Sequence, residues 1–489
     1  MPSSPQYFSS NEAIFGTSDL EKRLRDRSLP TVGLAEAIIK GVAPDGGLLM
    51  PTYIPQIDMD KIISMKGQPY SKFFFETTRL FFKDVLSEKT LDRIAKAYTF
   101  APYREDISKI DIIARLDEGP TAAFKDYAAQ VFFRVIEALM NEEPRTEIKF
   151  RQHLKEIDLL TFLVSTSGDT GSAMGVACYN KPKMWMFILH SALEGHVSDL
   201  QAKQMDTQGY NISVGRAHLD FDGCTTIINR LLDDQDLKYM HRNSANSVNI
   251  GRLLPQTSYY SYLYSNIAEK GEKLVVSVPC GNLGDLTAGA IAKKSGLPID
   301  LIVGVNENDV FERFYRTGIY EPAEKTKTSP SNAMNVNKPS NIRRLVQFYG
   351  GQLINGNLTV SPNFKRLKED IIAAYSIGDE ETHEIVKEFY EEKHMIGSTH
   401  STIEPHGAVA WGTSKKFRRD SGYDGKIVTF ETAHPGKFPE SLQRMGITPD
   451  LPDCLAKLVD KPHGKYHTVE NYQAAKELLI ELYNKHLGK

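Results

Sequence analysis

The segment Leu159-Leu-Thr-Phe-Leu-Val-Ser-Thr-Ser-Gly-Asp-Thr-Gly-Ser-Ala-Met-Gly-Val-Ala-Cys-Tyr179 is the clearest indication of the fold. Residues 159–164 are apolar apart from one threonine and predict a buried strand, and the mostly small residues 172–179 predict a helix. A turn of Ser, Thr, Gly and Asp joins them. A strand, a turn and a helix in direct succession form the repeating unit of a parallel sheet with crossover helices. We therefore expect an α/β protein.

The same alternation extends over much of the chain. Further strands are predicted at residues 184–189, 210–214, 274–278, 299–305 and 426–430. Helices are predicted at residues 35–40, 70–80, 91–97, 196–205, 253–267, 286–294 and 471–487. This pattern predicts two doubly wound parallel-sheet domains behind a mainly helical N-terminal segment.

The predicted domain boundaries follow from where the pattern changes. We assign residues 1–110 to a capping segment packed on the larger domain. Residues 111–249 are assigned to a smaller, mobile α/β domain, and residues 250–489 to the larger α/β domain with the C-terminal helices.

The overall composition disfavours several classes of protein. The 62 acidic and 59 basic residues among 489 give a net charge of -3, which disfavours a partner such as nucleic acid or a membrane surface. No apolar stretch approaches the roughly 20 residues needed to span a bilayer, and no signal peptide is recognisable. The spacing of the four cysteines fits neither a zinc site nor a disulfide-dense scaffold. We expect a cytoplasmic protein with free thiols and no metal.

The segment Glu118-Gly-Pro-Thr-Ala-Ala-Phe-Lys-Asp126 places a lysine at the start of a predicted helix. The helix N-terminus carries a positive partial charge. This charge and the small, apolar neighbours both disfavour the ammonium form of Lys125. An amine that is free at neutral pH suits a lysine that forms a Schiff base. Taken alone, the segment also fits an ordinary lysine at an exposed helix start.

The turn Ser165-Thr-Ser-Gly-Asp-Thr-Gly171 presents hydroxyls and backbone N–H groups at a helix N-terminus. Such a turn can bind a carboxylate or a phosphate, although a helix cap without a ligand requires the same residue types. Asp169-Thr-Gly-Ser172 also matches the aspartic protease signature. That chemistry needs a second such carboxylate. The other candidate, Asp420, follows a basic run and lacks a buried strand, so a protease is disfavoured.

A third segment, Pro279-Cys-Gly-Asn-Leu-Gly-Asp285, also lies between a predicted strand and a helix. Gly281 and Gly284 allow backbone N–H groups to close around an anion at the helix N-terminus. No P-loop lysine accompanies them, so a nucleoside triphosphate is not the expected ligand. A Schiff-base lysine, a carboxylate-binding turn and a phosphate cup are together what pyridoxal 5'-phosphate requires.

Two more polar segments carry candidate binding residues. Asn243-Ser-Ala-Asn-Ser-Val-Asn-Ile-Gly-Arg252 is either an ordinary polar loop or a second anion site, in which Arg252 pairs with a substrate phosphate. In Glu431-Thr-Ala-His-Pro-Gly-Lys-Phe438, which follows a strand, the hydroxyl of Thr432 can hydrogen-bond an unprotonated pyridine nitrogen.

Together these segments resemble the threonine synthase family, in its longer form from enteric bacteria and fungi. The matching blocks, in the family's order, are Gly119-Pro-Thr-Ala-Ala-Phe-Lys-Asp126, Thr166-Ser-Gly-Asp-Thr-Gly171, Asn243-Ser-Ala-Asn-Ser-Val-Asn249, Gly281-Asn-Leu-Gly-Asp-Leu-Thr-Ala-Gly289, Ser331-Asn-Ala-Met334, Glu404-Pro-His-Gly-Ala-Val409 and Thr432-Ala-His-Pro435. The resemblance implies a fold-type II pyridoxal-phosphate enzyme related to the tryptophan synthase β-subunit. It also implies conversion of O-phospho-L-homoserine and water to L-threonine and phosphate by γ-elimination and β-addition, which is the activity of a carbon-oxygen lyase.

The resemblance further implies roles for individual residues. Lys125 would bind the cofactor covalently and shuttle protons. The residues implied at the cofactor are Gly281, Asn282, Leu283, Gly284 and Asp285 at its phosphate, Thr432 at the ring nitrogen and Asp169 near the phenolic oxygen. Those implied at the substrate are Thr166, Ser167, Gly168 and Thr170 at its carboxylate, and Asn246, Ser247, Asn249 and Arg252 at its phosphate.

Three segments depart from the family's pattern. Asp117-Glu118 replaces Phe-His, Cys280 and Leu283 replace serine and phenylalanine, and Ser191-Ala-Leu-Glu-Gly195 replaces Pro-Arg-Gly-Lys. Added acids and lost bases disfavour a dianionic substrate unless they point away from it. The sequence therefore leaves open a related lyase or deaminase acting on another hydroxy- or phospho-amino acid, and a non-catalytic binding protein. We expect a small phospho-amino acid as the substrate and a monomer or homodimer.

Overall fold

The strands and helices come from a computed structural model, which describes residues 4–12, 14, 17–141, 148–395 and 402–488. The strands are β1 (Tyr7–Ser9), β2 (Leu49–Pro51), β3 (Tyr103–Asp106), β4 (Asp111–Arg115), β5 (Leu160–Thr166), β6 (Met184–Ser191), β7 (Ile212–Ala217), β8 (Arg242–Ser244), β9 (Leu274–Pro279), β10 (Ile299–Val305), β11 (Gln352–Ile354), β12 (Asn357–Val360), β13 (Ile371–Ser376), β14 (Ile427–Glu431) and β15 (His467–Thr468).

The helices alternate with these strands. They are α1 (Thr17–Arg25), α2 (Leu34–Lys40), α3 (Met59–Ser64), α4 (Tyr70–Phe82), α5 (Glu88–Ala95), α6 (Lys125–Asn141), α7 (Ile148–Glu156), α8 (Asp169–Cys178), α9 (Asp199–Asp206), α10 (Phe221–Asp233), α11 (Thr257–Ile267), α12 (Gly284–Lys294), α13 (Val310–Thr317), α14 (Ile342–Phe348), α15 (Phe364–Asp370), α16 (Asp379–Met395), α17 (Pro405–Ser421), α18 (Pro439–Gln443), α19 (Asp453–Val459) and α20 (Tyr472–His486).

Two sheets organise the molecule. The larger has the strand order β13-β10-β9-β14-β4-β3 and is parallel except for the edge strand β3, which pairs antiparallel with β4. The smaller has the order β15-β7-β6-β5-β8 and is parallel throughout. The expected α/β architecture is confirmed. None of the described helices combines the length and apolar composition needed to cross a membrane.

The predicted domain boundaries do not match the strand pairing, because the chain crosses more than once between the two sheets. Strand β4 pairs with β14 in the larger sheet, so residues 111–115 lie with the larger domain and not with the smaller one. At the other end, β15 pairs with β7 in the smaller sheet. Helix α20 buries Leu479 in the same apolar cluster as Trp185 of β6. The boundaries drawn at residues 111 and 250 therefore do not divide the sheets, because strand pairing is not encoded in local apolar patterns.

Helix α4 of the N-terminal segment packs against α11. Phe73 and Tyr70 of α4 contact Tyr262 of α11 in edge-to-face ring pairs, a geometry that adds to the stabilisation from burial. The Tyr70 hydroxyl also lies 2.6 Å from Ser258 Oγ. Helix α2 ends at Lys40 and is followed by Gly41, whose positive φ of 76° favours glycine at this position.

Candidate active site

One cavity collects most of the predicted residues, at the carboxyl ends of β4, β5, β9 and β14. Parallel sheets bind ligands at this edge because the turns and helix N-termini that follow their strands meet there. The predicted residues that line the cavity are Lys125, Ser167, Asp169, Thr170, Asn246, Ser247, Arg252, Gly281, Asn282, Leu283, Gly284, Asp285 and Thr432.

Lys125 is fixed by the loop in front of it. The Asp126 carboxylate accepts hydrogen bonds from the backbone N–H (2.8 Å) and the hydroxyl (2.9 Å) of Thr121. The Phe124 N–H donates to the carbonyl of Thr432 at 2.8 Å. These contacts tie the start of α6 to the end of β14, so the lysine emerges into the cavity from a rigid support.

The surroundings of Lys125 favour its neutral amine. Burial lowers the pKa of Lys125, and the cations of Lys437 and Arg252 lower it further, against the attraction of Asp169. The distance from Lys125 Nζ to Asp169 Oδ2 is 3.8 Å, which is longer than a hydrogen bond. The direction of the shift agrees with the sequence argument.

Some residues of the turn after β5 line the cavity, and others hold the turn in its conformation. Ser167 and Thr170 line the cavity. Thr166 does not, because its hydroxyl accepts hydrogen bonds from the N–H groups of Gly168 and Gly171, both at 2.9 Å. Gly168 has a φ of 125°, and a side chain there would collide with Gln201. Thr166 and Gly168 therefore shape the turn and do not line the cavity.

The loop after β9 forms a cup at the start of α12. Leu283 adopts a φ of 57°, and Gly281 packs so closely on Ala333 that a Cβ would lie 2.4 Å from its carbonyl oxygen. The first turn of a helix leaves N–H groups without partners inside the helix. The Asp285 carboxylate accepts hydrogen bonds from the hydroxyls of Tyr259 (2.6 Å) and Tyr260 (2.7 Å). The group that Asp285 offers to an anion is therefore its backbone N–H.

The structure does not bring Asn249 into the cavity. Its side-chain N–H group donates to the carbonyl of Ile38 at 2.9 Å, and its oxygen accepts from the Gly251 N–H at 3.0 Å. The side chain is needed to hold the polar loop against α2. This loop residue is therefore structural, and the implied substrate contact is not supported.

Arg252 is a buried cation with an unusual environment. It is 2% exposed, and its guanidinium donates to the carbonyl of Ala245. Among the described residues, no carboxylate lies within 4 Å of it as an ion-pair partner. Burial lowers the pKa of Arg252 to about 10. Since an unpaired buried charge is costly, the guanidinium has the chemistry to accept an anion as its partner.

Two residues of the cavity region carry chemistry that the sequence did not reveal. His406 lines the cavity, and its Nε2 accepts a hydrogen bond from the Ala333 N–H at 2.9 Å. Its Nδ1 therefore carries the proton and donates to Glu404. Lys437 is fully buried with its Nζ 2.8 Å from Asp169 Oδ1. His406 lies in the segment 404–409 and Lys437 follows the segment 432–435, both of which resemble the family. Nothing in their spacing shows that they lie near Lys125.

The acids that depart from the family pattern lie outside the cavity. Asp117 is 4% exposed and Glu118 is at the surface, and neither lines the cavity. Glu194, in the altered turn, lines a neighbouring cleft of about 600 Å³ together with Ser198 and Asn332. The sequence-based objection to a dianionic ligand therefore does not apply to Asp117 and Glu118.

Asp117 is expected to make stability depend on pH. Burial raises its pKa from 3.8 to about 7, against the attraction of Arg115. The folded protein thus holds a proton that the unfolded chain releases, and the contribution of Asp117 to stability falls as the pH rises from about 4 to about 7. The free energy of unfolding of Asp117→Asn, relative to that of the parent, should therefore increase by about 2 kcal/mol from pH 5 to pH 8. Urea unfolding at both pH values measures this, with the exposed and distant Glu324→Gln as control. An equal difference at both pH values would contradict the assignment.

Comparisons with known proteins give a consistent result. Residues 24–98 match the family model described as threonine synthase N terminus, and residues 407–479 match the model described as threonine synthase, C-terminal. Threonine synthase of Escherichia coli K12 is 33% identical over 456 residues, covering 92% of this chain and 96% of that protein. The crystal structure of threonine synthase from yeast has a TM-score of 0.81 at 26% identity, covering 100% of both chains. The pyridoxal-phosphate-bound threonine synthase from Brucella melitensis has a TM-score of 0.80 at 24% identity, covering 99% of both chains.

Proposed function

The chain belongs to the threonine synthase family, and on that premise we propose how its residues convert O-phospho-L-homoserine and water to L-threonine and phosphate. Membership of this family of pyridoxal-phosphate lyases removes the two alternatives that the sequence left open. The observation that carries the assignment of residues is the convergence in one cavity of Lys125, the cup at residues 281–284 and the unpaired guanidinium of Arg252.

The cavity has the features that pyridoxal phosphate requires. Gly281 has no room for a side chain, and the αL conformation of Leu283 directs the loop into the first turn of α12, whose N–H groups suit a phosphate. Thr432 places a hydroxyl, and not a carboxylate, at the end of β14. When bound, the cofactor supplies an aldehyde that bonds to Lys125 and a ring that withdraws electrons from the substrate.

Four residues of the cavity act on the substrate, namely Ser167, Thr170, Lys125 and Arg252. Ser167 and Thr170 bind its carboxylate at the N-terminus of α8. The amine of Lys125 accepts the proton of Cα and passes it to the substrate phosphate, then accepts the proton of Cβ as phosphate leaves from Cγ and returns that proton to Cγ. Water then gives its hydroxyl to Cβ and its proton, through Lys125, to Cα. Arg252 pairs with the phosphate, so its positive charge stabilises the departing dianion. Ser247 lies beside Gly284, where an added Cβ would be 3.2 Å from the serine Cβ.

A chain of hydrogen bonds joins the wall of the neighbouring cleft to this cavity. Asn332, which lines the cleft, donates to Gln201 Oε1 at 2.9 Å, and Gln201 Nε2 donates to Asp169 at 2.8 Å. Residues from the smaller and the larger sheet thus meet at the boundary between the two spaces. We assign the activity to the cytoplasm and to a monomer or homodimer.

The turn at residues 165–171 permits a test of the carboxylate site. Ser167→Ala should raise KM for phosphohomoserine by about 10-fold or more, because a hydrogen bond to a charged group is lost. Thr166→Val should leave KM nearly unchanged but lower the free energy of unfolding by about 1 to 2 kcal/mol, because a buried cap is lost. Steady-state kinetics and urea unfolding of both variants separate these effects. Equal effects of the two variants on KM would contradict the division of roles.

A further inference from the structure

Lys437 is a buried lysine that the proposed reaction does not use. It ends the 3-10 turn Pro435–Lys437 that follows β14, and its side chain is 0% exposed. Its ammonium lies 2.8 Å from Asp169 Oδ1 and donates to the carbonyl of Thr121 at 2.9 Å. Its own carbonyl accepts from the hydroxyl of Ser198 at 2.6 Å. The lysine is therefore held rigidly beside the loop that carries Lys125.

The two oxygens of Asp169 face different partners. Oδ1 accepts hydrogen bonds from Lys437 Nζ and Gln201 Nε2, each at 2.8 Å. Oδ2 lies 3.8 Å from Lys125 Nζ. Lys437 and Gln201 thus hold the carboxylate through one oxygen and keep it from closing on Lys125. A direct ion pair with Lys125 would hold that lysine in its ammonium form, which cannot act as a nucleophile.

The groups that act electrostatically on these residues come from several elements. Those that influence Lys125, Asp169 or both are Lys437, Arg252, Glu404, His406 and Asp285. Burial alone would raise the pKa of the Asp169 carboxyl, but Lys437 and then Lys125 hold that pKa well below its usual range. Asp169 is therefore an anion at neutral pH, and the group whose protonation can change is Lys125.

We infer that Lys437 is a positioning residue that keeps the amine of Lys125 free at neutral pH, both by repelling its ammonium form and by holding the Asp169 carboxylate away from it. This inference rests on the proposed role of Lys125. It adds a second lysine to the site, one that contacts neither the substrate nor the reacting carbons and acts through Asp169.

The pKa of Lys125 can be measured directly on the full-length, cofactor-free chain. Cyanate carbamylates only neutral amines, so the rate at Lys125, followed by mass spectrometry from pH 6 to pH 10, reports the pKa of that amine. Lys437→Met should raise it by about one pH unit or more, because repulsion is lost and Asp169 is released. Lys437→Arg, which keeps the charge, should stay within about half a unit of the parent. An unchanged pKa in folded Lys437→Met would overturn the inference.

Lys393 offers a matched control. It is also a buried lysine paired with a carboxylate, Glu105 at 2.6 Å, and it does not line the cavity. Lys393→Met should leave the pKa of Lys125 unchanged, even if it costs similar stability. A shift equal to that of Lys437→Met would show that loss of any buried lysine disturbs the site and would overturn the specific role.

A second pair of variants applies if Lys437→Met does not fold. The double variant Asp169→Asn/Lys437→Met, which lacks both charges of the pair, is compared with Asp169→Asn alone. The pKa of Lys125 should be higher in the double variant, because the direct repulsion by Lys437 is lost. No rise would overturn the inference. Carbamylation requires neither cofactor nor substrate, so its outcome is independent of product assays. Those assays, and not this one, would reveal a failure of the proposed function.

Discussion

Replacing Lys125 with alanine should abolish the absorbance band of the bound cofactor near about 410 to 420 nm and lower kcat/KM by about 10⁴-fold or more. The band requires a bond between the cofactor aldehyde and a lysine, and the same amine moves the protons of Cα and Cβ. Lys125 emerges from the rigid start of α6 into the cavity, and the direction of its pKa shift favours the neutral amine.

The control for this variant is a lysine in a surface ion pair. Lys181 binds Glu137 at 2.5 Å on the outside of the smaller domain, so Lys181→Ala should keep both the band and the activity. Lys437, which pairs with Asp169, is a second lysine beside this cavity. A Lys125→Ala protein that retains the band would transfer the covalent role to Lys437 and contradict the assignment.

Replacing Arg252 with methionine should lower kcat/KM by about 10² to 10³-fold, because a buried cation that pairs with a phosphate is lost. Phosphate should also become a weaker inhibitor, in the same proportion. The free energy of unfolding should fall by only about 1 kcal/mol, since Arg252→Met leaves one buried acceptor, the Ala245 carbonyl, without this donor and strands no carboxylate among the described residues. Enzyme kinetics with phosphate as inhibitor and urea unfolding measure both effects.

Arg344 provides the contrasting variant. It is 0% exposed, and it donates to the carbonyls of Ser247 (3.0 Å) and Leu49 (3.3 Å) and to Asn341 Oδ1 (2.6 Å). Arg344→Met strands these buried acceptors and should cost about 3 kcal/mol of stability. If Arg252→Met lost stability as Arg344→Met does, while phosphate inhibition stayed at the parental value, Arg252 would be a structural residue.

The sequence predicts the site best where a turn follows a strand directly. The turn after β5 and the cup after β9 both meet at the carboxyl edge, because the strand, the turn and the helix are encoded in one continuous segment. The predicted strand at residues 299–305 coincides with β10. Such local patterns need no knowledge of distant contacts.

The features that the sequence does not predict depend on contacts between distant segments. Asn249 resembles a ligand-binding amide in sequence, but its partner Ile38 lies in the N-terminal segment. Lys437 appears as an ordinary basic residue until the fold brings it to Asp169. Strand β4 is assigned to the wrong domain because its partner β14 lies near the other end of the chain. In the sequence, Asp117 and Glu118 argue against a dianionic substrate. Only the folded structure shows that neither residue lines the cavity.

The central claim is that phosphate leaves by cleavage of the Cγ–O bond and that water adds at Cβ. The most direct test incubates the purified holoenzyme with O-phospho-L-homoserine in ¹⁸O-labelled water and analyses both products by mass spectrometry. We expect equal amounts of threonine and phosphate, with ¹⁸O in the threonine hydroxyl and none gained by the phosphate. Phosphate released without threonine, or ¹⁸O found in the phosphate, would contradict it.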